Sequence, residues 1–269
     1  MSEEYPTPGL VERVHRQREA ANRRDLDAAT GSFAPDAVLD GRALGDHFEG
    51  RAAIRNFLEE WFGTYEELEF GFEEVRDLGN GVVFAVVIQN GRPAGSAGHL
   101  RQREGWVYVW RRGLIARLTI SEVDEARAAA ERLAEERAQM SEENVEIVRR
   151  AVAAINGRDL DGYLACCSEH VELRTPLIAG VYEGREGIQR YFSDVEDAAP
   201  DFRIDINRVE TVGPDQVLAF IRTRGTGRAT AIPLGFEATN VYDLVDGHIT
   251  RVRIFLDASE ALKAVGLEE

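Results

Sequence analysis

Hydrophobic and polar positions alternate along this chain with a period that changes from helical to extended, twice over. Residues 9–22 carry Leu10, Val14 and Ala21 on one helical face. A second helix is predicted after Asp25, an acceptable N-cap, ending near Pro35. A short strand over residues 37–40 leads into a glycine-rich loop, and residues 51–62 place Ile54, Phe57, Leu58 and Trp61 at helical spacing. The pattern then becomes extended, with strands predicted over residues 68–78, 82–89, 98–110 and 114–121. Gly79-Asn-Gly81 and Arg112-Gly113 supply antiparallel hairpin turns. Helices followed by a meander predict an α+β fold, with N-terminal helices packed on one face of a curved antiparallel sheet.

The whole order then recurs. A helix rich in Ala, Glu and Arg over residues 123–139 is followed by helices at 142–156 and 160–167, a short strand at 171–175 and a helix at 185–195. Strands at 202–212, 216–224, 236–245 and 248–256 and a closing helix at 258–265 complete it. Asn22-Arg-Arg-Asp-Leu-Asp27 returns as Asn156-Gly-Arg-Asp-Leu-Asp161, residue 156 against residue 22, an offset of 134. The same offset joins Phe48-Glu-Gly-Arg51 to Tyr182-Glu-Gly-Arg185, Gly79 to Gly213, Tyr108 to Tyr242 and Arg117 to Arg251. A register held this long marks a duplicated domain, with boundaries at 1–139 and 140–269. Met140-Ser-Glu-Glu143 repeats the opening Met1-Ser-Glu-Glu4 of the polar tail 1–8, as if two gene copies had been fused end to end.

Residues 82–88 are apolar without alternation, so both faces of that strand should be covered. The helices cover one, and the sheet of the other domain is expected to cover the second, making an intramolecular pseudo-dimer.

The 269 residues suit two domains at about 150 each. A net charge of −16 repels phosphates and anionic lipid, which argues against nucleic-acid and membrane partners. All but one of the 32 basic residues are arginine, as GC-rich bacterial codon usage would give. The two cysteines, Cys166 and Cys167, are adjacent and make no disulfide framework, which points to a reducing compartment. Without a long apolar run or an N-terminal leader pattern, the cytoplasm is the expected location.

This order of elements, with Asn-x-x-Asp-Leu-Asp, Tyr182-Glu-Gly-Arg-x-Gly-Ile188 and the hairpin Asp246-Gly-His-Ile249, resembles the nuclear transport factor 2-like superfamily. Within it the chain looks most like the SnoaL-like polyketide cyclases and ketosteroid-isomerase relatives. The resemblance implies two cone-shaped domains that pair through their sheets, each with a pocket between helices and sheet. It also implies a small, mainly apolar cyclic ligand and cofactor-free acid/base chemistry: cyclisation, isomerisation or hydration. A ligand-binding or structural role without turnover is the alternative, because this fold hosts enzymes, binders and adaptors.

In the isomerase relatives a carboxylate base sits near the end of the first strand, and a helix-one tyrosine and a strand acid form an oxyanion hole. In the second domain these places fall on Thr175, Ala151 and Asn240; in the first, on Gly41 with Asp40 beside it, Gln17 and Trp106. Asp40 becomes a base only if its strand slips by one residue, which exchanges faces. Neither half keeps the full set. Asn240 and Tyr242 should share a strand face with Leu244, either as polar ligand contacts in an apolar cavity or as satisfied core groups. Trp106, Tyr108 and Trp110 occupy the matching face of the first domain, as pocket wall or as filling, with filling favoured. Tyr163, Thr175 and Tyr182 are expected to line the second pocket, the better candidate for an open one. No metal or dinucleotide motif is present: there is no HExxH, and Gly225-Thr-Gly227 lacks its third glycine.

Overall fold

The computed structural model describes residues 9–41, 46–176 and 180–267, so the predicted tail 1–8 and the loop after Gly41 lie outside the described residues. The chain forms two compact units that divide between Glu136 and Arg137. In the first, α1 (Leu10–Asn22) and α2 (Leu26–Gly31) precede β1 (Phe33–Gly41), β2 (Asp46–Glu49) and α3 (Arg51–Gly63). The meander follows: β3 (Tyr65–Gly79), β4 (Val82–Pro93), β5 (Leu100–Arg111) and β6 (Leu114–Ser121). The six strands lie in the order β2-β1-β6-β5-β4-β3.

The sheet is mixed where the sequence predicts an antiparallel one. β1 runs parallel to β6, with Leu39 opposite Leu118 and Gly41 opposite Ile120. β1 also begins earlier than predicted, because Phe33 pairs with Ile115 and cuts α2 short. Pro35, which has no N–H to donate, falls inside the register shift between Phe33 and Val38. The helix-first Arg51 holds the carbonyl of Phe33 through Nε at 2.8 Å, fixing α3 to the start of β1.

α4 (Val123–Gly157) is a single helix of 35 residues, not the two that the sequence predicts. Residues 139–142, Gln-Met-Ser-Glu, contain no glycine or proline to stop it. The Ser141 hydroxyl, at the place of a second helix's N-cap, donates to the carbonyl of Gly213 at 3.3 Å.

β4 is covered on both faces, as its unbroken apolar run predicts. Val83, Ala85 and Val87 face the main core beside Val14, Ile54 and Tyr108. Val82, Phe84 and Val86 face Val123, Ala126, Ala130 and Ala134 of α4. Alanines four apart put a stripe of short side chains on the helix, which lets it lie close to the strands. The closest approach is at Gly105 of β5, where an added Cβ would stand 2.4 Å from the Ala126 Cβ and 3.0 Å from the Val123 Cα. Gly105→Ala is therefore expected to cost about 1–3 kcal/mol by overpacking. Urea denaturation measures it, and an unchanged midpoint would show that α4 does not rest on this strand.

The second unit repeats the first. α5 (Leu160–Ala165), β7 (Cys167–Arg174), β8 (Val181–Glu183) and α6 (Gly184–Ala198) lead into β9 (Arg203–Thr211), β10 (Gln216–Thr226), β11 (Pro233–Val245) and β12 (His248–Phe255). Their order is β8-β7-β12-β11-β10-β9, again with β7 parallel to β12. The short α7 (Ala258–Ala264) covers Leu218 and Val241 with Ala261. The hairpins Arg112-Gly113 and Asp246-Gly247 have positive φ at both positions (51° and 75°, 49° and 71°), as two-residue turns between twisted strands require.

The repeated Asn-x-x-Asp-Leu-Asp phrase is a latch. Asn22 Nδ2 donates to the Phe70 carbonyl at 2.9 Å and its Oδ1 accepts the Phe70 N–H at 2.8 Å. Asn156 does the same with Ile204, at 2.8 Å for both bonds. Two residues on, Arg24 and Arg158 turn the chain with φ of 54° and 59°, and then Asp25 and Asp159 cap α2 and α5.

Candidate functional site

Each unit encloses a cavity between its helices and sheet. In the first its volume is about 130 Å³, in the second about 310 Å³. The offset of 134 explains the difference, because the two cavities are lined by equivalent positions. Trp61 is answered by Val195, Tyr65 by Ala199, Phe70 by Ile204 and Trp106 by Asn240. Four rings give way to smaller side chains on the same backbone, and the space opens.

The chemistry of the walls diverges as well. The first cavity is lined by Arg18, Gln17, Gln89, Gln102 and Glu104 among its rings. At the places equivalent to Arg18, Gln17 and Glu104 the second domain has Val152, Ala151 and Ala238. The second cavity keeps Thr175, Thr223, Tyr191 and Asn240 as its polar lining, and the remainder is apolar. Among the described residues lining it there is no carboxylate, histidine, lysine or thiol.

Strand geometry decides where the predicted residues stand. Asn240 lines the second cavity and is 3% exposed. Its Nδ2 donates to the Tyr242 hydroxyl at 3.2 Å, while its Oδ1 is buried without a partner. Tyr242 is buried behind it, and burial pushes the phenol up to about 12, so it stays protonated. Thr175 lines the cavity. Tyr163 is packed in the core with its ring edge-on to Phe192, 5.4 Å between centroids, and is not part of the wall. Tyr182 donates its hydroxyl to Asp194 Oδ2 at 2.8 Å, which ties β8 to α6 outside the cavity. Cys166 and Cys167 are buried free thiols that burial raises, Cys167 to about 12.

In the first domain Leu39 and Gly41 line the cavity, and Asp40 between them does not. The one-residue slip that would bring Asp40 inward does not occur, since Leu39 pairs with Leu118 and Gly41 with Ile120. Trp106 is in the wall, at the end of a run of contacting rings: Phe57 to Trp61 at 5.7 Å, Trp61 to Phe70 at 5.6 Å, Phe70 to Trp106 at 5.7 Å. Tyr108 is fully buried behind Trp106, its hydroxyl without a partner.

Two charged wall residues were not anticipated. Glu104 is half-buried, and Trp106 Nε1 donates to its Oε2 at 3.3 Å. Burial raises this carboxyl above the usual glutamate range, against the lowering pull of the indole N–H. Arg18 lies over the ring of Phe72 at 5.1 Å, and its buried Nε–H has no partner. The signal for Glu104 was period two: it precedes Trp106 on the same strand face. It was hidden by its neighbours Arg101 and Arg103, which give that end of the strand the look of a solvated edge.

Among the described residues no cluster of three or more metal-ligating side chains occurs, and no helix is long and apolar enough to cross a membrane.

The profile of the SnoaL-like domain matches this chain twice, over residues 14–118 and 148–252, and the protein belongs to that family as two tandem copies. None of the curated proteins matches the sequence. Similar solved structures include a nuclear transport factor 2-like protein of unknown function from Burkholderia pseudomallei, at 18% identity. It covers 46% of this chain and 97% of its own, with a TM-score of 0.40. The epoxide hydrolase/cyclase-like enzyme SalBIII, of pyran ring formation in salinomycin, is 20% identical over 44% of this chain and 93% of its own, TM-score 0.40. A Catenulispora acidiphila protein with a ketosteroid isomerase-like fold, in complex with trimethylamine, is 16% identical over 46% and 93%, TM-score 0.39. The matched segments hold the lining residues of both cavities except Ile120 and Ile254, which lie just beyond their ends.

Proposed function

We propose that the second domain binds a small, mainly apolar cyclic molecule that carries one hydroxyl, held at Asn240, and does so without acid/base turnover. The observation that carries this reading is the partnerless Oδ1 of Asn240 in the wall of an otherwise apolar cavity. A buried acceptor left unpaired costs about 1–3 kcal/mol, which a ligand hydroxyl would recover. The same contact survives if the amide is turned, because the Tyr242 hydroxyl can give or take a hydrogen bond and one end of Asn240 always remains for the ligand. A lining without carboxylate or histidine supports binding over proton abstraction, since Thr175 at the place of the relatives' base cannot accept a proton at neutral pH. The size follows too: a dry cavity of about 150 Å³ takes one benzene, so a space near twice that suits two fused rings.

The test is a thermal-shift titration with two-ring alcohols such as naphthols and decahydronaphthols, on the unmodified protein and on Asn240→Leu. Leucine fills the space of asparagine without its polar atoms. The free variant is expected to lie within about 1–3 kcal/mol of the parent in stability, because losing the partnerless Oδ1 offsets orphaning the Tyr242 hydroxyl, and to bind the alcohols at least tenfold more weakly. Equal affinity in the two proteins would sink the contact, and no shift with any compound would sink the site.

A further inference from the structure

The cavity of the first domain is chemically a different site, and nothing in its wall requires the second domain's ligand. Its volume of about 130 Å³ is close to that of a cavity that takes a single six-membered ring. Flat walls are supplied by Trp61, Phe70 and Trp106. At the same wall stand a guanidinium with a buried, partnerless N–H, Arg18, and a half-buried carboxyl, Glu104, with one oxygen taken by Trp106. We infer that the first domain binds a single-ring aromatic carboxylate, its carboxylate on Arg18, with a ring hydroxyl reaching Glu104 when one is present.

Each part follows from what is missing. Among the described residues Arg18 is paired with Glu19, 3.8 Å from Nη2, and its buried Nε–H meets no acceptor. A permanent cation with an unused donor inside a ring-lined space selects an anion with a flat apolar body. The chain's net charge of −16 opposes anions at long range, but salt screens exposed charges beyond roughly 8 Å at physiological ionic strength, so the adjacent guanidinium decides. Glu104 adds an acceptor, and in its protonated form a donor, for a phenol. The second domain, with Val152 and Ala238 at the equivalent places, offers neither group.

All three tryptophans of the chain, Trp61, Trp106 and Trp110, belong to the first domain, and two of them line this cavity. Tryptophan emission therefore reports this site and is silent for a ligand in the second cavity, which has no tryptophan in its wall. The full chain is titrated with benzoate, 4-hydroxybenzoate and phenol while emission is followed. The expected result is a saturable change with both acids, tightest for 4-hydroxybenzoate, and binding of phenol at least tenfold weaker than either. Arg18→Met, which keeps the apolar stem, should remove the advantage of the acids over phenol. If that variant does not fold, the ranking on the unmodified protein still decides. Phenol binding as well as the acids, or no saturable emission change with any acid, overturns the inference. Neither outcome touches the reading of the second domain, which rests on thermal shifts with neutral alcohols.

Discussion

Replacing Asn156 by alanine is expected to lower the stability of the second domain by about 2–4 kcal/mol, and Asn22→Ala to do the same to the first. Each asparagine satisfies both backbone groups of one residue on the outermost strand of the meander, Phe70 in β3 and Ile204 in β9. Alanine removes two hydrogen bonds at once and orphans an N–H and a carbonyl on residues that are 4% exposed. The latch also fixes the exit of α1 or α4, after which Arg24 or Arg158 adopts a left-handed turn that non-glycine residues avoid. Without it that turn has less to hold it. Urea denaturation separates the two cases: tryptophan emission follows the first domain, and far-ultraviolet circular dichroism follows both. A loss below about 0.5 kcal/mol in both variants, the range of an ordinary surface substitution, would mean the phrase is an ancestral relic without a structural task.

The second large effect is expected from Met140→Pro. Met140 is 48% exposed, so its side chain contributes little packing, and Met140→Ala should change stability by no more than about 0.5 kcal/mol. Proline at this place removes a hydrogen bond inside α4 and drives its ring against the preceding turn, which costs about 3 kcal/mol or more. The pair of variants isolates the backbone. If residues 139–142 were the junction between two helices that the sequence suggests, proline would be accepted there as a first-turn residue and the two variants would behave alike.

The duplication and the order of elements were readable because they depend on local periods and a repeated phrase. What connects distant segments was not. The parallel pairing of β1 with β6 leaves no mark in either strand, and Phe33 reads as the tail of a helix until Ile115 claims it. The apolar run in β4 announced that both its faces are covered, yet the identity of the cover lay in three alanines of α4 that any exposed helix might carry. The placing of Asn240 in the wall followed from strand alternation. Asp40 against Gly41 was a matter of one residue of register, which only the paired strand fixes. Arg18 and Glu104 were passed over because charged residues at the rim of an element look solvated when read singly.

The strand order has a consequence for synthesis. In each domain the first strand sits beside the last, so β1 waits unpaired on that side from the emergence of Gly41 until Leu114 onward is made. At about 5–20 residues per second the delay is roughly 4–15 s. During it the hairpins of the meander can close on themselves, but the ring-lined wall behind them stays wet. β7 repeats the wait for β12, after the first domain has its full set of strands. A nascent chain therefore passes twice through a half-built sheet with its stickiest surface open, once for each copy, and these are the two intervals at which a ribosome-bound chaperone would find most to hold.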